Sequence, residues 1–400
     1  MPSERTPLLG SLPAMLGITK QPRAHFLDNL RSILVAILVF QHSAANIINR
    51  TYFDESRPPP SSLTPLLVFN EVNTHFLWVS FFLVSGWAAR LALEARSDFH
   101  FIRKRAVKTV LPAVLYLLVG RWFITRLLQD LGIDIFASPN PEWSAFAQLS
   151  GPGPYVLFLA IIELVYLSMR LVVEKYPSIS IVRVYSACPG PQGVKFAITV
   201  LLTYAAITII TFLNVQLYTF IPSVFYLLHP GDAPGYGAPF TLIVAYLAGI
   251  HSHFVKKYLL IKRPWVAWAA LIPTVLFAYH PSPILDFVAS AYKDAPAHTV
   301  DSITSSIYYP LVGFTLPIAL FSVSFSTPYT RIRWNGWANH AAPVAYIHLV
   351  PVAHNIYLLD RYNIIVHPVI RALVVGAGSL IESWVLVRMV VKFWPLVRTD

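Results

Sequence analysis

From residue 26 almost to the C-terminus, apolar runs of about 20 residues alternate with short polar, mostly basic stretches. At ~1.5 Å of rise per residue, roughly 20 residues cross the ~30 Å hydrocarbon core of a bilayer. The pattern therefore predicts membrane helices over 26–48, 74–94, 109–129, 153–173, 196–220, 238–255, 265–281, 306–325, 337–358 and 364–390. No stretch between them is long enough for a separate soluble domain. The expected organisation is a cytosolic tail over 1–25, one transmembrane domain over 26–392 and a short cytosolic tail over 393–400. The Pro-rich loop RPPPSSLTP (57–65) should be non-helical and lie on the far surface.

The first apolar run, FLDNLRSILVAILVFQHSAANII, breaks its own pattern. Asp28 and Arg31 sit near its start, His42 and Asn46 near its end, and ionisable groups at membrane depth are costly enough to mark a functional site by default. Arg31 and His42 are about three turns apart, so both project from one face of the helix, roughly 16 Å from each other along its axis. Asn46 follows one turn later. The bland alternatives are an Arg31–Asp28 pair one turn apart and a structural, hydrogen-bonded His42.

Composition agrees with this class: 56% of the 400 residues are hydrophobic and only 12% charged, with a mean hydropathy of +0.58. Soluble domains carry about a quarter charged residues. The net charge of +11 would suit a nucleic-acid binder, but the placement of the charges reads as topology. Of the 30 Lys and Arg, 21 fall in the tails and alternate loops assigned to the inside and five in the opposite loops. Cytosolic loops are enriched in Lys and Arg, so both termini are expected in the cytosol and no nucleic acid is expected as a partner. The single Cys188 excludes an internal disulfide. The pair His251 and His253 lacks a carboxylate companion, and no metal site is expected. The acidic dileucine pattern ERTPLL (4–9) has the form of a sorting signal in the tail.

Several segments together resemble the membrane-bound acyltransferase family 3, a family of O-acyltransferases with bacterial glycan-modifying and fungal small-molecule-modifying members. FLDNLRSILVAILVFQH is similar to the family's opening L-D-x-L-R segment, in which ten residues separate the Arg from the essential His. FFLVSGWAAR (81–90) resembles an FF-x-x-SG segment. FIRKRAVKTVLP (101–112) resembles F-x-x-x-R-x-x-R-x-x-x-P, with Lys108 where an Arg is common. GPGPYVLFL (151–159) is similar to G-P-x-W-F-L, with Tyr155 near the expected Trp and an additional Gly-Pro. PFTLIVAYLAGIHS (239–252) looks like a late F-x-x-G-x span, and APVAYIHLVPVAHNIYL (342–358) resembles Y-x-x-H-x-P through Tyr346, His348 and Pro351. The pieces occur in one order across most of the chain.

The resemblance implies an all-α integral membrane protein, a single bundle of about ten transmembrane helices, that transfers an acyl group from acyl-CoA, acetyl favoured, to a hydroxyl. It also implies the site. His42 would be the general base, since a neutral imidazole suits proton abstraction near cytosolic pH. Arg31, with Arg103, Lys104 and Arg105, would hold the phosphates of the acyl-CoA, for which guanidinium groups are geometrically suited. His348 would orient His42 or donate to the oxyanion. Ser85 and Gly86 read as a close-packing pair, while His75, His280 and His354 read as interfacial.

The aromatic content of 14% and the lack of a soluble domain favour an apolar hydroxylated acceptor, a terpenoid or polyketide alcohol, over a glycan. The expected partners are thus the lipid bilayer, acyl-CoA and that small-molecule acceptor, in the endoplasmic reticulum. A transporter or flippase is the rival reading of a polar face on a membrane helix, although no internal repeat supports it. A non-catalytic scaffold is the second.

Overall fold

A computed structural model describes residues 24–51, 60–95, 97–120, 122–124, 126, 153–176, 201–202, 204–213, 238–279, 297–334, 337–364 and 366–393. The ERTPLL pattern, Cys188 and His280 lie outside them. Among the described residues the secondary structure is helical throughout. The main helices are α1 (His25–Thr51), α2 (Thr64–Ala95), α3 (Asp98–Ile124), α4 (Gly153–Lys175), α5 (Tyr204–Leu213), α6 (Ala238–Ile250), α7 (Pro264–Tyr279), α8 (Ala297–Ser326), α9 (Trp337–Ile347), α10 (Leu349–Arg361) and α11 (Pro368–Phe393). Six of them, α1 to α4, α8 and α11, contain windows long and apolar enough to cross a membrane. The bent pair α9–α10 makes a seventh if it counts as one span, and α5, α6 and α7 are shorter apolar helices. The chain is an all-α membrane protein, with an apolar helix on each segment that the hydropathy pattern marks.

α1 is the axis of the bundle, packed by α2, α8, α9, α10 and α11. Leu30, Leu34 and Val39 of α1 are fully buried. In lipid such burial contributes little driving force, because acyl chains are as apolar as leucine. Close packing and interhelical hydrogen bonds hold the helices together instead. Asn29 supplies such bonds at one end of α1, its Nδ2 donating to the carbonyls of Thr330 (2.8 Å) and Ile332 (2.7 Å) just beyond α8.

α2 and α6 approach closely where Gly86 faces Gly249. A Cβ on Gly86 would stand 2.1 Å from the Tyr246 carbonyl oxygen, and one on Gly249 would stand 2.2 Å from that of Leu83. Only glycine permits two backbones to touch in this way. Gly86 therefore has the packing role expected of it. Conversely, α3, α4, α7 and α11 turn large apolar side chains outward, among them Leu118, Ile161, Ile272 and Ile381, as helices at a lipid boundary do.

Among the described helices three starts differ most from the hydropathy reading, one of them that of α8 at Ala297, nine residues before the expected 306. α2 begins at Thr64, ten residues before the expected 74, and the end of the Pro-rich loop is itself helical, with a 3-10 turn over Ser61–Leu63. Pro65 is tolerated because it opens the helix, where its missing N–H is not needed. The polar residues that mark 70–74 as a loop have partners inside the bundle. Thr74 accepts from Gln41 Nε2 of α1 at 2.9 Å, and Glu71 accepts from the Tyr309 hydroxyl of α8 at 2.5 Å. The basic run 101–108 is likewise helical, in the first half of α3. That helix passes Pro112 through a π turn at Ala106–Val110, in which Leu111 N–H donates to the Ala106 carbonyl; the wider turn makes room where proline breaks the regular ladder.

Candidate functional site

His42 lies on α1 and His348 on the break between α9 and α10, and their rings come within 4.9 Å, centroid to centroid, tilted by 55°. The sequence positions are about 300 apart; the packing of α9 on α1 brings them together. α9 and α10 diverge by 51° at this break, which Pro343 and Pro351 flank on either side.

The two imidazoles have different surroundings. His348 is fully buried. Its Nδ1 is 2.9 Å from the Ala345 carbonyl, and because a carbonyl can only accept, this bond assigns the ring proton to Nδ1. Nε2 is then a bare lone pair, and it is buried with no hydrogen-bond partner among the described residues. Buried polar atoms are normally satisfied, so an orphaned one marks a place of stored reactivity or an absent ligand. His42 keeps part of its surface accessible. An incoming molecule can thus touch His42, with His348 behind it. Asn46 does not join the pair through its amide, since its Nδ2 donates to the His42 backbone carbonyl at 2.8 Å.

Arg31 sits lower on α1, beside Asp28 at 3.3 Å. This is the bland pairing expected from their spacing. Arg31 also lies within electrostatic reach of Glu163, a carboxylate in the middle of α4 that is only 5% exposed. Glu163 in turn pairs with Arg105 of α3 at 2.7 Å, and the Arg105 guanidinium lies 5.6 Å over the Phe101 ring. Of the other candidate anion-binding residues, Arg103 is exposed and Lys104 half-buried, both on the same stretch of α3. Arg105 therefore pairs with a buried carboxylate and Arg31 with Asp28, whereas Arg103 is exposed.

Glu163, Asn29 and Tyr246 carry no weight in the sequence reading. A signal for Glu163 exists, because a lone carboxylate inside the run LAIIELVYL is expensive in a membrane and needs a partner. Asn29 has no comparable signal, and Tyr246 is fully buried within electrostatic range of both Glu163 and Arg105.

Two other described histidines have partners of their own. His354 meets Glu382 at 3.3 Å on an exposed face, and His253 Nδ1 lies 2.7 Å from Arg90. Among the described residues no group of three or more His, Cys, Asp or Glu is arranged to hold a metal. No family model matches the chain, and comparisons with curated proteins and with solved structures also give no match.

Proposed function

We propose that this chain is a membrane O-acyltransferase that moves an acyl group, acetyl favoured, from acyl-CoA to the hydroxyl of a small apolar acceptor such as a terpenoid or polyketide alcohol, in the manner of the acyltransferase 3 family it resembles. The observation that carries the reading is the His42–His348 pair: one partly accessible imidazole against a buried one whose Nε2 has no partner among the described residues. In the proposed reaction His42 accepts the proton of the acceptor hydroxyl as its oxygen forms the new C–O bond to the thioester carbonyl. The C–S bond then breaks and His42 returns the proton to the departing CoA sulfur. His348, shielded from any incoming molecule, serves to orient His42, which favours that role over oxyanion donation. Arg31, roughly 16 Å below His42, suits the far end of an elongated donor, with Arg103, Lys104 and Arg105 as further cationic contacts for its phosphates.

The same reading takes the ten apolar segments as ten crossings, with both termini in the cytosol and the endoplasmic reticulum as the compartment. It rests on the alternation of basic loops and on the apolar helices found along the chain.

A transporter or flippase is the second reading, because a helix broken at a buried polar residue, as α9–α10 is at His348, is a common element of transporter binding sites. One experiment separates the two. Detergent-purified protein is tested for binding and hydrolysis of radiolabelled acetyl-CoA, comparing wild type with His42→Ala and Arg31→Ala. The acyltransferase reading expects His42→Ala to keep binding while turnover falls by about 10²–10⁴-fold, and Arg31→Ala to bind about tenfold more weakly. A folded wild-type protein that binds no acetyl-CoA overturns it.

A further inference from the structure

We infer that Glu163 is a positioning residue for the anionic end of the acyl donor, acting as the fixed counter-charge that holds the guanidinium group of Arg105. The inference rests on the acyl-CoA reading above and deepens it. α4 carries this carboxylate and α3 brings Arg105 to 2.7 Å from it; the charge of Arg31 on α1 also acts on it.

A guanidinium drawn into a water-poor site is costly unless a counter-charge meets it. Glu163 supplies that charge to Arg105 and is well suited to the task because it is itself nearly inaccessible: its side chain is 6% exposed, against 24% for Arg105. The shielded partner anchors, while the more accessible one keeps surface for a second anion. A planar guanidinium with five N–H donors can bond a carboxylate on one edge and a phosphate on another. Phe101 stacks near Arg105 and further limits the directions its guanidinium can take.

A purely structural ion pair would look similar in a static view, so the test turns on which kinetic constant moves. Glu163→Gln keeps the shape of the side chain and a carbonyl able to accept from Arg105, and removes only the charge. The measurement is acetyl-CoA turnover and binding by the full-length purified protein, wild type against Glu163→Gln, Arg105→Ala and the double variant. Glu163→Gln is expected to raise the KM for acetyl-CoA by about tenfold with kcat within about threefold of wild type. In the Arg105→Ala background the same change should move KM by less than about twofold, because the anchored group is already gone.

Three results overturn the inference: an unchanged KM in Glu163→Gln, a lowered KM, which would make the carboxylate a competitor of the donor, or a loss confined to kcat. Should Glu163→Gln fail to accumulate as folded protein, Glu163→Asp retains the charge on a shorter arm. Its expected KM then lies between wild type and Arg105→Ala, and an unaltered KM counts against the idea. Wild-type protein that neither binds nor turns over acetyl-CoA removes the acyltransferase reading itself, and this inference with it. Normal wild-type turnover with an indifferent Glu163 removes only this one.

Discussion

Along α1 the level of Arg31 and the level of His42 differ in charge, the first assembled from ions of both signs and the second from two imidazoles. Around Arg31 the charges alternate: Asp28, Arg31, Glu163 and Arg105 supply two negative and two positive groups from three helices. Around His42 the ring pair brings no counter-charge, and among the described residues the Nε2 of His348 has no hydrogen-bond partner. Buried charges persist only when paired, because the desolvation of an unpaired ion is prohibitive. A neutral imidazole carries a smaller penalty, on the order of 1–3 kcal/mol for one unsatisfied atom, and a stable bundle can sustain it. The level of paired charges is held by mutual attraction, and the level of the imidazoles holds a group able to take up a proton or a new hydrogen bond.

The sharpest way to break this contrast is to change His348 while keeping its structural bond. In His348→Asn the side-chain amide can still donate to the Ala345 carbonyl, but the imidazole behind His42 is gone. If His348 orients the base, kcat for acetyl transfer falls by about 10²-fold while the KM for acetyl-CoA stays within about twofold; equal kcat in the two proteins would reduce the pair to packing.

Next in size is Gly86→Ala, which acts beside the charged level. Its new Cβ would collide with the Tyr246 carbonyl, 2.1 Å away, and so push α6 from α2 near Glu163. We expect a stability loss of about 1–3 kcal/mol, read as a lower unfolding temperature in detergent, together with weaker acetyl-CoA binding. A variant as stable as wild type would mean that the two backbones have freedom to separate.

The smallest effect belongs to an exposed counterpart of the buried charges. At the other end of α1, Asp360 of α10 accepts from Arg50 at 2.7 Å and from Arg371 of α11, with its side chain 43% exposed. Asp360→Asn should cost less than about 1 kcal/mol and lose that effect in high salt, measured by thermal unfolding across a salt series. A loss as large as that from breaking a buried pair would erase the distinction between the two kinds of ion pair.

What the amino-acid pattern makes legible is what repeats locally. The apolar runs mark where helices lie, and the spacing of Asp28 and Arg31 anticipates their pairing one turn apart. Gly86 reads as a close-packing residue from its small neighbour Ser85 and its apolar setting. The partnerships between distant helices do not repeat, and so they are not written in any period. Helical spacing says that His42 and Arg31 share a face, but it does not say that His348 or Glu163 will meet that face. The start of α2 is misjudged for the same reason. Asn70, Glu71, Asn73 and Thr74 look like a loop until Gln41 and Tyr309 are in place to receive two of them. The 51° bend at His348 is foreshadowed by Pro343 and Pro351, yet neither proline indicates which way the two halves diverge.

The bonds that complete α1 also set an order of events during synthesis. α1 is made first, but the carbonyls that receive Asn29 belong to Thr330 and Ile332, the ring beside His42 belongs to residue 348, and the acceptor for Arg50 is Asp360. At about 5–20 residues per second, the ribosome reaches those positions tens of seconds after α1 has emerged. Until then the polar face of the first helix has only the insertion machinery, water or earlier helices to turn to. Assembly of this protein therefore closes from its last third back onto its first helix, and truncations that remove that third leave a leading segment with no native place to rest.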